Sequence, residues 1–277
     1  MDQFILFGDS ITQQAFSQDA PAGHEDPSGF FGPALADAYL RRLDVINRGL
    51  SGYNTRQALQ VLPQVIPPPE KARVRFLTIF FGANDARLPD TYPDPQQHIP
   101  LEEFKDNVRA IASHPCVLAH TDVRIILITP PPFHERSALE SDRVEDGSRE
   151  PNLRRTAVAA ATYAQEVREL GEQINLPVLN LWTAMMKRAD YQGTGIDDGM
   201  LPGSMGDRDV QSRANTVLKS YLHDGLHFTR TAYEVLFEEL MALIQRKWPD
   251  QTPEALPFVL PRWDDEEAWK VEQASLL

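Results

Sequence analysis

Short apolar runs recur along the chain with little polar alternation inside them: Phe4 to Phe7, Val45 to Asn47, Arg75 to Phe81, Arg124 to Thr129 and Pro177 to Asn180. Strands that are apolar on both faces belong in a parallel sheet covered by helices on each side. The stretches between and beyond them carry helical periodicity, which predicts helices at about Gly32 to Arg42, Thr55 to Ile66, Leu101 to Ser113, Asn152 to Gln173, Leu181 to Ala189 and Thr229 to Lys247. The last is the best patterned. Tyr233, Leu236, Phe237, Leu240, Met241 and Ile244 share one face, Thr229 or Thr231 is the candidate N-cap, and Pro249 stands just beyond the end. The alternation predicts an α/β fold, a flavodoxin-like three-layer α/β/α arrangement with a five-stranded parallel sheet. In such folds ligands bind beyond the carboxyl ends of the strands.

Segments outside that pattern include Pro131 to Pro151 and the Gly- and Asp-rich Gly193 to Arg213, both expected to be loops. The expected organisation is one domain over residues 1–249, with a loop insertion at 193–213, and a C-terminal extension at 250–277. Leu256, Phe258, Val259, Leu260, Trp263 and Trp269 argue that this extension packs on the body or lies at a homodimer contact.

Composition narrows the function. Of 277 residues, 42% are hydrophobic and 24% charged, as in soluble globular chains. Lys and Arg number 27 against 40 Asp and Glu, a formal balance of −13. That argues against nucleic acid as a partner, which needs clustered basic residues, and against an anionic membrane surface. Cys116 is the single cysteine, so no disulfide forms within the chain. No signal-type leader and no run of 18 apolar residues is visible, so a cytoplasmic location is expected.

The candidate chemistry lies where strands stop. Ser10, in Gly8-Asp9-Ser10-Ile11-Thr12, follows the first apolar run; it reads either as a turn or cap residue or as a nucleophile. A serine hydroxyl needs a base, and a histidine held in one tautomer by a carboxylate supplies it. Asp224-Gly225-Leu226-His227 offers both, although an ordinary solvated loop would read the same way. Gly52 could contribute an N–H and Asn84 an amide to stabilise an oxyanion, while Gly82-Ala83-Asn84-Asp85 is also a plain turn sequence. His223 and His227 lie four apart, but no H-E-x-x-H pattern or third ligand cluster accompanies them, so no metal is expected. Neither phosphate-binding glycine motif occurs.

Taken in order, Gly8-Asp9-Ser10, Gly52, Gly82-Ala83-Asn84-Asp85 and Asp224-Gly225-Leu226-His227 resemble the four blocks of the SGNH/GDSL hydrolase superfamily. The fuller strings Phe7 to Thr12, Asn47 to Arg56, Phe81 to Ala86 and Asp224 to Phe228 are similar to its isoamyl acetate-hydrolysing esterase branch. The resemblance implies Ser10 as nucleophile, His227 as base and Asp224 as its orienting carboxylate. Ser10, Gly52 and Asn84 would form the oxyanion hole. It implies hydrolysis of small acetate-type esters through an acyl-enzyme, without cofactor or metal. Two readings compete: a related hydrolase for a bulkier ester or thioester, such as an acetylated sugar or lysophospholipid, and a non-catalytic binding protein of the same fold.

Overall fold

The computed structural model of the chain describes residues 1–20, 28–89, 91, 95–146, 152–191, 193, 200–209 and 211–275. The five apolar runs form strands β1 (Asp2–Gly8), β2 (Leu43–Gly49), β3 (Val74–Phe80), β4 (Arg124–Ile128) and β5 (Val178–Leu179). All pair in parallel, in the order β2-β1-β3-β4-β5. This is the flavodoxin-like order, with its switch point between β1 and β3. The helices are α1 (Ser10–Gln13), α2 (Phe31–Ala38), α3 (Thr55–Val65), α4 (Leu101–Ala112), α5 (Pro115–Leu118), α6 (Glu135–Asp146), α7 (Ala157–Gln173), α8 (Leu181–Arg188), α9 (Arg213–Tyr221), α10 (Arg230–Lys247) and α11 (Glu266–Ser275).

The strand period of two divides the interior. Phe4 and Leu6 of β1 join Phe76 and Phe80 of β3 in one core, beneath α2, α8 and α10. Ile5 and Phe7 point the other way and join Leu77 and Ile79 beneath α3, α4 and α7. Both faces of the central strands are thereby closed to water, as their uninterrupted apolar sequence requires. None of the described helices is long and apolar enough to cross a membrane.

Helix starts follow local chemistry. Asn54 caps α3 by accepting from the Gln57 amide, and Gln57 returns the bond to the Asn54 amide, a reciprocal pair that satisfies two otherwise unpaired donors. The α7 helix begins at Ala157 rather than near Asn152, because Thr156 accepts from the Ala159 amide and sets the start there. Thr229 does hold the N-cap position of α10, but its hydroxyl donates to the Ser220 carbonyl instead of capping.

One of the three segments outside the strand and helix pattern departs from the sequence reading. Pro131 to Pro151, expected to be a loop, contains α6; its residues are mostly polar, which hides the helical period, and residues 147–151 lie outside the described part. Within 193–213 the described residues are mostly turns anchored to the body. Leu201 is buried, and Gly203 donates its amide to Asn215 Oδ1 and accepts at its carbonyl from the Glu135 amide; residues 194–199 and 210 lie outside the described part. In the tail, Val259 N donates to Arg41 O, Arg41 Nη2 reaches the carbonyls of Leu260 and Pro261, and the guanidinium groups of Arg41 and Arg42 lie over the Phe258 ring. Trp263 is 86% exposed, and α11, a helix that the sequence reading did not single out, follows it.

Candidate active site

Ser10 opens α1 immediately after β1, so its own amide sits in the first helical turn, where no intrahelical acceptor is available. Asp9 caps that turn by accepting from the Ile11 amide at 2.9 Å. A glycine must precede it, since a Cβ at Gly8 would run into the Thr12 side chain and the Phe80 carbonyl. The hydroxyl of Ser10 lies 2.9 Å from His227 Nε2.

His227 is presented by a tight turn that closes on itself. Gly225 has φ +89°, and a Cβ there would strike the backbone of His134 and Ala138. That turn folds Asp224 back, so that its Oδ2 lies 2.5 Å from His227 Nδ1 while its Oδ1 accepts the amides of Leu226 at 2.9 Å and His227 at 2.7 Å. Burial works against charge on Asp224. The hydrogen bond to His227, the charge of that ring and the backbone amide outweigh it and hold the carboxyl well below the usual carboxylate range. With Nδ1–H given to a carboxylate, Nε2 is left to accept from the Ser10 hydroxyl. The two ends of the chain are also tied directly: the Tyr233 hydroxyl in α10 donates to the Ile11 carbonyl in α1 at 2.5 Å.

The Gly52 and Asn84 segments meet beside this array. Leu50 N donates to the Gly8 carbonyl, which hangs the loop after β2 on the end of β1. Asn84 Nδ2 donates to the Tyr53 carbonyl at 2.9 Å, and one hydrogen on that nitrogen remains for another acceptor. Asp85, fully buried, accepts from the Thr55 amide at 2.9 Å and hydroxyl at 2.5 Å, fastening the start of α3 to the end of β3. Its Oδ2 has no hydrogen-bond partner. Burial, with a further contribution from Asp9, pushes Asp85 up to about 7, against the lowering effect of the Thr55 bonds; burial likewise pushes Asp9 up to about 6.

The five residues singled out from sequence therefore fall into two clusters beyond the carboxyl ends of the strands: Ser10, His227 and Asp224 in a continuous hydrogen-bonded chain, and Asn84 bonded to the residue after Gly52. Sequence reasoning missed Arg155 and Gln97, which flank Asn84. Arg155 lies in an irregular stretch and Gln97 ends the short 3-10 turn Pro95–Gln97, and no spacing marks either. Arg155 donates to the Ala83 carbonyl and to Asn84 Oδ1, each at 2.8 Å. Burial and the neighbouring charge of Arg87 pull its guanidinium down to about 10, so it stays charged at neutral pH.

His223, discounted as a metal ligand, does come near the others: ligand atoms of His223, Asp224 and His227 lie within 4.8 Å of one another. The His223 and His227 rings stack with centroids 6.0 Å apart. Both oxygens of Asp224 and both ring nitrogens of His227 are, however, already engaged in the bonds described above. Beside His227, Asp224 and Arg155 lies a cavity of about 190 Å³, rimmed by Phe133, Ser141, Asp142 and Leu226. A second, apolar recess of about 10 Å³ is lined by Ala83, Pro130, Phe133, Ala160 and Leu226, with Arg155 at its edge.

A hydroxyl, an imidazole and a carboxylate in line, next to amide donors, is a constellation suited to acyl transfer. The model of the GDSL-like Lipase/Acylhydrolase family matches residues 6–235. A GDSL esterase/lipase of Arabidopsis thaliana is 38% identical over 262 residues, covering 94% of this chain and 91% of its own. The isoamyl acetate-hydrolyzing esterase 1 homolog of Rattus norvegicus is 36% identical over 276 residues, 98% of this chain and 91% of its own. Among solved structures, a lipase/acylhydrolase from Enterococcus faecalis superposes with a TM-score of 0.56 at 24% identity, covering 94% of this chain and all of that one.

Proposed function

The chain belongs to the GDSL-like lipase/acylhydrolase family and is a carboxylic ester hydrolase, and on that basis we propose that it cleaves small acetate-type esters through an acyl-enzyme on Ser10. The observation that carries this reading is the unbroken chain from Ser10 Oγ through His227 to Asp224, at 2.9 and 2.5 Å. His227 takes the Ser10 proton as Ser10 attacks the ester carbonyl. The negative charge that develops on oxygen is met by the amides of Ser10 and Gly52 and by Asn84 Nδ2, and each such donor is worth roughly 10² to 10³ in rate. His227 then protonates the departing alcohol. Water repeats the sequence on the acyl-serine and releases the acid. The scheme calls for no metal and no organic cofactor.

The narrow apolar recess beside Ala83 and Leu226 supports a short acyl group, because about 10 Å³ has room for little beyond a methyl. The larger cavity next to His227 supports an alcohol portion of several carbons. Its polar rim, where Arg154 pairs with Asp142 at 3.5 Å, favours as a second reading a hydroxylated alcohol such as a sugar. Fluorophosphonate labelling with peptide mapping, read beside turnover of acetate, butyrate and octanoate esters of one phenol, tests the proposal. Label on Ser10 and a steep fall beyond about four carbons are expected; label elsewhere, or a preference for octanoate, contradicts it.

A further inference from the structure

The Asn84 amide is held by more than the strand end that carries it. Arg155, half-buried, places Nε on the Ala83 carbonyl and Nη2 on Asn84 Oδ1, each at 2.8 Å. The same Nη2 reaches Gln97 Oε1 at 3.3 Å, and Arg87 Nη1 donates to that oxygen at 3.0 Å. Gln97 in turn gives its Nε2 to the Gly52 carbonyl at 3.1 Å. One guanidinium thus stands where two branches divide, one ending on Asn84 and the other on the Gly52 segment.

We propose that Arg155 is a positioning residue of the oxyanion cradle: through Asn84 Oδ1 it fixes and polarises the amide that meets the developing charge, and through Gln97 it sets where the Gly52 segment stands. This rests on the ester-hydrolysis reading with Ser10 as nucleophile. A guanidinium carries donors only, so the Asn84 atom facing it must be the oxygen, and flipping the amide would oppose donor to donor. The orientation that presents Nδ2 to the substrate is thereby the one that survives. A charge-assisted bond to Oδ1 is stronger than a neutral one and makes the Nδ2 hydrogens better donors. The planar fork also spans the Ala83 carbonyl and Asn84 Oδ1 together, which ties the side-chain amide to the backbone of its own segment. A lysine ammonium has no such fork. Gln97 obeys the same logic: two arginines face its oxygen, so its nitrogen is left for Gly52.

The test compares the parent with Arg155→Ala, Arg155→Lys and Gln97→Met on p-nitrophenyl acetate, with thermal unfolding and fluorophosphonate labelling of Ser10 measured beside turnover. Arg155→Ala is expected to lose about 100-fold in kcat, at the lower end of what removing an oxyanion donor costs, with KM within about threefold of the parent. Arg155→Lys should recover only a small part of that loss. Millimolar guanidinium should raise the kcat of Arg155→Ala, since Arg155 lines the cavity beside His227 and its removal leaves a site that the ion can enter. Gln97→Met should lose about tenfold in kcat at unchanged KM, a partial version of the same donor loss. A folded Arg155→Ala whose kcat stays within threefold of the parent, or whose only deficit is in KM or unfolding temperature, overturns the proposal. If Arg155→Ala does not fold, a Gln97→Met variant with parental kcat overturns it. A parent that neither turns over esters nor labels at Ser10 instead removes the mechanism on which the proposal rests, a distinguishable result.

Discussion

Ser10 Oγ and His227 Nε2 stand 2.9 Å apart although 217 positions separate them in the chain. The first strand delivers one and the turn before α10 delivers the other. If this contact is the proton-transfer step, Ser10→Ala should lower p-nitrophenyl acetate turnover by about 10⁴-fold or more. Fluorophosphonate should no longer label the chain. Parental turnover in that variant would remove the nucleophile from the scheme.

In turnover Asp224 should matter through the tautomer and orientation of His227. Asp224→Asn keeps the shape of the side chain but puts the wrong group opposite His227 Nδ1, and about a 10⁴-fold fall in kcat is expected from comparable triads. Because the folded carboxyl titrates below its unfolded value, its contribution to stability is complete above about pH 4 and is lost as the pH falls further. The unfolding temperatures of parent and variant should therefore converge on acidification below pH 4, which thermal scans from pH 6 to pH 2.5 would reveal.

Asp85 and Asp9 act in the opposite direction. Their folded values, about 7 and about 6, lie above the unfolded value near 3.9, so the folded chain holds more protons than the unfolded one between about pH 4 and 7. Stability then falls as the pH rises through that window. Asp85→Asn, which cannot ionise, should lose less in unfolding temperature between pH 5 and pH 8 than the parent does. Equal losses would show that Asp85 does not take up the extra proton.

Asn84→Ala removes the amide while leaving the Ser10 to His227 contact in place. A fall of roughly 10² to 10³ in kcat with little change in KM is expected, because the donor is used chiefly when the oxygen carries charge. A loss expressed only in KM would assign Asn84 to ground-state binding.

Exhaustive chelation should leave turnover unchanged. The ligand atoms of Asp224 and His227 that approach His223 are already occupied by hydrogen bonds within the triad and its turn. Activity that disappears with EDTA and returns with a divalent metal would replace the proposed mechanism.

The sequence made the sheet legible because burial on both faces demands apolar runs, and all five strands lie where those runs are. It made the candidate site segments legible because each combines chemistry-bearing residues with a turn, three of them at strand ends and Asp224 to His227 just before α10. The Asp224 to His227 turn could be read because Gly225 permits its φ of +89°. What stayed hidden was structure without a periodic signal. The α6 helix is built from Glu135 to Asp146, a mostly polar stretch, yet Glu135 itself is buried and its two oxygens accept the amides of Ala157 and Met205. Arg155 and Gln97 were hidden for a related reason: each acts alone, and its partner is fixed by tertiary packing rather than by neighbours in the chain.

The bond from Tyr233 to the Ile11 carbonyl bears on when the enzyme becomes reactive. During synthesis the serine leaves the ribosome early and the histidine some two hundred residues later. Until α10 docks against the first turn, the nascent polypeptide carries a hydroxyl with no base beside it. On the ester-hydrolysis reading, reactivity therefore requires α10 docked on the first turn, and a chain that stops short of His227 is chemically silent.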